Sequence, residues 1–165
     1  MQEETRFTFN MTPIRVWTHL TDFGAYALWH PSYRFENSTV CQKRIPLRYA
    51  LFRGEYRLKA EAVLTVFERG HGIAWVICIG GMEVFEERYS LAPLVMGTEI
   101  RHSIAFQGLF GRVMALSSRR SLRQTLVNQD NAFVRFLKKE MRGATPSHRQ
   151  RKRTVFRTGK TANDG

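Results

Sequence analysis

"GIAWVICIGGMEVFEERYSLAPLVMGTEIRHSIAF", residues 72–106, decides the fold. Its first part, 72–81, is apolar at both odd and even positions, the pattern of a strand covered on both faces. "VFEERYSL" (84–91) and "TEIRHSIAF" (98–106) instead alternate apolar and polar residues around "APLVMG", a turn-rich connection. Consecutive strands with short links predict an antiparallel meander. If Leu91 lies opposite Thr98, then Tyr89 faces Ile100, Glu87 faces His102 and Phe85 faces Ile104. Phe85, Glu87, Tyr89 and Leu91 then share one face with Ile100, His102, Ile104 and Phe106. A Glu-His pair among aromatic and aliphatic side chains, with Tyr89 beside it, is a candidate acid/base set. A buried hydrogen-bonded link that only fixes the register is the plainer reading of the same pair. A slip of one residue would send both side chains to the other face.

The same period continues toward the N-terminus. "YRFENSTV" (33–40), "PLRYALFRG" (46–54) and "KAEAVLTVFERG" (59–70) alternate, as do residues 5–10. Between the first strand and residue 33 lie two short helical pieces. "TPIRVWTHL" has Thr12 as a cap and Pro13 in the first turn, with Val16, Leu20 and Phe23 at helical spacing. "DFGAYALW" starts on Asp22, a second cap, and Pro31 stops it. Beyond residue 107 the period changes to 3.6. From Phe110 to about Met141 a helix of ~30 residues, ~45 Å long, is expected. Ala115, Leu122, Leu126, Phe133 and Leu137 share one face, and Gln124, Asn128, Asn131, Arg135 and Lys138 lie opposite. Ser118 and Gln129 interrupt the apolar face, and a buried polar group needs a partner. The sheet is the one surface broad enough to carry such a helix.

The 165 residues suit one domain, 1–143, followed by a basic tail, 144–165, that is polar and without apolar periodicity. The net charge of +12 divides into +5 in that tail and +7 in the remainder. The tail, with "RQRKR", and the helix cations Arg112, Arg119, Arg120 and Arg123 are candidates for a weak contact with an anionic partner, RNA or a lipid headgroup. A solvated basic surface is the plainer reading. Cys41 and Cys78 form no C-x-x-C motif and read as reduced thiols. The N-terminal stretch lacks a secretory pattern, and the longest apolar run is too short to span a bilayer, so a cytoplasmic protein is expected. His19, His30, His71, His102 and His148 show no metal-ligand spacing. No phosphate-cradling glycine loop and no nucleophile motif is present. Neither metal nor cofactor is expected.

The sequence resembles the START-like or SRPBCC superfamily, the helix-grip fold, and within it the polyketide cyclase/dehydrase-like branch. The resemblance rests on "P-x-x-VW-x-x-LTDF-x-x-Y-x-x-WHP" (13–31), "IAWVICIGGMEVFEERYSLAP" (73–93), "GTEIRHSIAFQG" (97–108) and "NQDNAFVRFLKKE" (128–140). Relatives usually carry Trp-Asn-Pro where this chain has Trp29-His30-Pro31. The resemblance implies an α+β fold: a curved antiparallel sheet of about seven strands around one long C-terminal helix, with two short helices after the first strand. It also implies an apolar pocket between sheet and helix for a small hydrophobic ligand. Trp29 and His30 are placed at the entrance of such a pocket. Trp75 and Tyr89 could stack on a planar ligand, and Phe85, Ile100, Ile104, Leu122, Leu126 and Phe133 supply apolar lining. Ser118 and Gln129 supply polar groups. Superfamily members include carriers, cyclases and receptors, so the fold alone does not choose between a binder and a cyclase or dehydratase using Glu87, His102 and Tyr89.

Overall fold

The computed structural model describes residues 1–36, 43–50, 58–106 and 119–143. In chain order the elements are β1 (Gln2–Phe9), α1 (Pro13–Thr21), a 3-10 turn (Phe23–Ala25), α2 (Tyr26–Trp29), β2 (Tyr33–Phe35), β3 (Arg44–Tyr49), β4 (Leu58–Glu68), β5 (Gly72–Ile79), β6 (Met82–Leu94), β7 (Gly97–Phe106) and α3 (Arg119–Gly143). The seven strands form one antiparallel sheet in the order β1-β7-β6-β5-β4-β3-β2. This is the expected helix-grip architecture. β1 is an edge strand, and β5, the continuous apolar run, is the central one. Its residues 72–78 are all buried. Ile73, Trp75 and Ile77 enter the core, while Ala74, Val76 and Cys78 lie outside that cluster.

The alternation in β6 and β7 sorts residues as expected. Phe85, Glu87, Tyr89 and Leu91 are buried with Ile100, His102 and Ile104 on the concave face. The register differs from expectation by two residues. Tyr89 is opposite His102, Glu87 opposite Ile104, Phe85 opposite Phe106 and Leu91 opposite Ile100. A slip of two preserves the face, so the Glu-His neighbourhood survives as a diagonal contact. The cause is the connection: β6 continues through Pro93 and Leu94, and only Val95 and Met96 separate Leu94 from its partner Gly97. Pro93 is tolerated because the Leu91 N–H points toward β5, donating to His71 O, so the N–H missing at Pro93 lies on that same side. The pairing of β5 with β6 has already ended at Gly72 and Ser90. Gly97 has φ +112°, and a Cβ there would meet Phe9 O at 2.2 Å, so β1 approaches the hairpin as only glycine allows.

Val16, Leu20 and Phe23 are buried, as their spacing predicts. Asp22 caps the 3-10 turn by accepting from the Ala25 N–H at 3.2 Å. Thr12 does not cap α1 with its side chain; Pro13 at the first turn already removes one donor that needs a partner. "YRFENSTV" pairs only over Tyr33–Phe35, and residues 37–40 lie outside the described residues. So do residues 107–118, including Phe110, Arg112, Ala115 and Ser118, together with Cys41 and the stretch 144–165. The described helix α3, 25 residues, spans about 38 Å. Leu126, Phe133 and Leu137 are buried on it and Leu122 half-buried. Gln124, Asn128, Asn131, Arg135 and Lys138 are exposed. Among the described helices, none is long and apolar enough to cross a membrane.

Candidate functional site

Five buried polar side chains from four elements, β2, β6, β7 and α3, meet between the sheet and that helix. Glu87 on β6 is fully buried. Its Oε2 accepts from the Tyr33 hydroxyl at 2.7 Å, and its Oε1 accepts from the Tyr89 hydroxyl at 3.1 Å. The same Oε1 is 3.0 Å from His102 Nε2 on β7. His102 Nδ1 is 2.7 Å from Asp130 Oδ1 on α3. Both ring nitrogens therefore face carboxylates, which is the pattern of a doubly protonated imidazolium. The Tyr89 ring stacks on it, with centroids 4.0 Å apart and planes 11° from parallel. His30 lies over Tyr33 at 3.7 Å. Its Nδ1 accepts the backbone N–H groups of Ser32 (3.2 Å) and Tyr33 (3.3 Å), so its proton resides on Nε2. That Nε2 is 3.7 Å from Glu87 Oε1, beyond hydrogen-bond range.

Burial works against every charge here, and contacts decide which survive. Burial pushes the Glu87 carboxyl up, but the hydrogen bond from His102 and the nearness of His30 outweigh it and hold the group below the usual carboxylate range. Burial pushes His102 down, yet Asp130 and Glu87 together raise it. For His30 burial wins and its pKa falls. Burial and the charge of Glu87 raise Tyr33 and Tyr89 well above the ordinary phenol value. The interior thus contains a carboxylate, an imidazolium and a second carboxylate in line, with a neutral His30 beside them. Asp130 joins this line to solvent: its side chain is 11% exposed, on a groove of about 510 Å³ between β1 and α3.

A stability maximum near pH 6.5 follows. Above 6.5 the folded protein keeps the His102 proton that the unfolded chain releases, so stability falls as pH rises. Below 6.5 the unfolded chain protonates His30 while the folded one resists, so stability falls as pH drops. Below 4.5 Glu87 adds to the same limb, because the unfolded carboxyl takes a proton first. Urea midpoints across this range check it: His102→Gln should flatten the alkaline limb and His30→Gln the limb between 4.5 and 6.5.

As an acid/base set, Glu87, His102 and Tyr89 are poorly placed. Both carboxylate oxygens are engaged, both imidazole nitrogens are engaged, and all three residues are almost completely enclosed. Asp130 and Tyr33, the network's other members, escaped notice in the sequence. The signal was present for Asp130, which falls on the same stripe as Leu126, Phe133 and Leu137.

The expected pocket residues divide into two groups. Trp75, Ile100, Leu126 and Phe133 are fully enclosed, Ile104 and Phe85 nearly so. Trp29 and His30 are interior at 7% and 0% exposure, not at a rim. They belong to an aromatic block in which Trp29 packs on Tyr26 (4.6 Å) and Phe133 (4.7 Å). At the other end of the concave face, Tyr49, Phe106 and Leu122 pack against the core but remain half-buried, whereas the half-buried Phe35 belongs to the aromatic block, on Phe23 (4.6 Å) and Tyr26 (5.0 Å). Tyr49 and Phe106 flank Phe85 at 6.2 and 5.5 Å. Tyr49 also leads to the polar network: its hydroxyl lies near Ser32, and its pKa is pushed up to about 12 by burial and by the charge of Glu87. Ser32 Oγ in turn lies 3.4 Å from Gln129 Nε2. Gln129 is 1% exposed, and its Oε1 has no hydrogen-bond partner. Among the described residues, no group of His, Cys, Asp and Glu side chains is arranged to hold a metal ion.

A family profile described as polyketide cyclase / dehydrase and lipid transport matches residues 3–134. The chain belongs to this family. Solved structures agree on the fold. One is a protein of unknown function from Staphylococcus aureus, 9% identical, covering 86% of this chain and 96% of its own, with a TM-score of 0.67. Another, from Mycobacterium smegmatis, is 12% identical over 84% of this chain and 92% of its own, with a TM-score of 0.66. The Aha1 dimer from Colwellia psychrerythraea is 16% identical over 81% and 97%, with a TM-score of 0.53. No curated protein matches the chain.

Proposed function

We propose that this protein binds a small, mostly apolar molecule on the concave face of its sheet. The molecule's body rests on Tyr49, Phe106 and Leu122, and its polar end points toward Gln129. The observation that carries this reading is a fully buried Gln129 with one amide atom unpartnered, joined through Ser32 and Tyr49 to the half-open apolar end of the face. A buried amide oxygen without a partner costs about 1–3 kcal/mol, which a bound ligand would relieve. Membership in a family described by lipid transport supports the same reading. The Glu87-His102-Asp130 line serves in this proposal as the rigid floor of the site, not as its chemistry. An RNA or headgroup partner finds no support among the described residues, where Arg119 already lies 3.7 Å from Glu3.

Leu122→Trp tests the placement. An indole at this half-buried position fills the mouth of the site while leaving the enclosed core unchanged. Uptake of an environment-sensitive apolar dye should fall at least about tenfold, a loss of ~1.4 kcal/mol, with the urea midpoint nearly unchanged. Undiminished uptake would remove Leu122 and this end of the face from the site.

A further inference from the structure

We infer that the bound molecule is an uncharged, hydroxyl-bearing compound, an alcohol or a phenol, and that the site rejects the corresponding carboxylate. The inference rests on the binding reading above and names its ligand class.

Two features of the polar end lead to it. The first is the chemistry offered. The free end of the Gln129 amide, the Ser32 hydroxyl bonded to its other end and the nearby Tyr49 hydroxyl are neutral groups, each able to meet a neutral partner. A hydroxyl both donates and accepts, so it completes Gln129 whichever way its amide is turned. An ionised carboxylate only accepts, and it binds well where cations or several N–H groups converge. The described polar end supplies neither. Arg34 sends its guanidinium to the carbonyl oxygens of His30 and Tyr33, and strand alternation puts it on the face of β2 opposite Tyr33.

The second feature is charge. Gln129 precedes Asp130 in α3, and Ser32 precedes Tyr33, which hydrogen-bonds Glu87. The polar end of the site therefore adjoins, in sequence, the Asp130 carboxylate on α3 and the tyrosine whose hydroxyl Glu87 holds. A single imidazolium, His102, lies between those carboxylates and is committed to both. The enclosed polar network has an excess of negative charge. A third carboxylate brought to Gln129 would add repulsion in a dry interior, where charges are weakly screened.

The experiment compares matched pairs by calorimetry at neutral pH: 1-dodecanol with dodecanoate, and 2-naphthol with 2-naphthoate. The expected result is binding of at least one neutral member at least about tenfold tighter than its acid. In Gln129→Met that preference should shrink to less than about threefold, and Tyr49→Phe provides a second, milder variant of the same end. Equal or tighter binding of the carboxylates to the wild-type chain would overturn the ligand class while leaving the apolar site standing. Failure of all four compounds to bind would overturn the binding reading itself, and the ligand class with it.

Discussion

His102→Leu is expected to lower the unfolding free energy by about 3–5 kcal/mol, the cost of leaving buried charge without its partner. His102 is fully buried and stands between Glu87 Oε1 at 3.0 Å and Asp130 Oδ1 at 2.7 Å. Leucine fills a similar volume but gives neither carboxylate a proton. Two carboxyl groups then face one side chain that cannot separate their charges. The variant should respond by taking up a proton, so Glu87 moves from a lowered pKa to a raised one. The pH dependence then changes sign near neutrality: the variant gains stability as pH falls from 7 toward 5, because its folded state binds the proton more tightly than the unfolded chain. Asp130→Asn in the same background should recover part of the loss. A midpoint shift equivalent to less than about 1 kcal/mol would show that the line of charges is not a structural link.

Trp75→Ala should cost about as much, roughly 3–5 kcal/mol, for a different reason. Trp75 is the largest fully enclosed side chain of the central strand, and Phe23, Tyr26, Tyr33, Phe35 and Tyr89 surround its ring. Five rings fixed on four other elements cannot close over the gap an alanine leaves. Its Nε1 has no hydrogen-bond partner, so the loss is one of packing and not of polar contact. Trp75→Phe, which removes that unpartnered donor together with one ring, should cost less than half as much. Urea unfolding with an unchanged m-value measures both. If Trp75→Ala were nearly neutral, Trp75 would line a space that ligand or water can refill, as its first placement in a pocket wall supposed.

Period was the legible part of this sequence. Strict alternation in β6 and β7 assigned Glu87, Tyr89 and His102 to one buried face, and that assignment survived a register two residues away from the expected one. It survived because side-chain direction repeats every two residues. Pro93 misled the register: it reads as a turn residue, while its missing N–H costs nothing on a side where β5 has ended. Asp22 as a cap was visible because capping is local. The depth of His30 was not, because a histidine beside proline at a helix end gives no hint that Tyr26 and Tyr33 will enclose it. Asp130 could have been found. A carboxylate on the stripe of Leu126 and Phe133 requires a cation beneath it, and His102 was already on the facing strand. The half-open end of the concave face was not legible at all, since it depends on where large side chains stop filling the curve of the sheet.

The most direct test is the mass of the protein as it is purified from a native-like host, first intact under non-denaturing conditions and then after denaturation and solvent extraction. A bound molecule near one-to-one occupancy, released on denaturation and recovered as an uncharged hydroxyl compound, is the predicted result. A protein of bare mass that also takes up neither dodecanol nor naphthol would contradict the binding reading and leave a closed aromatic core with no guest.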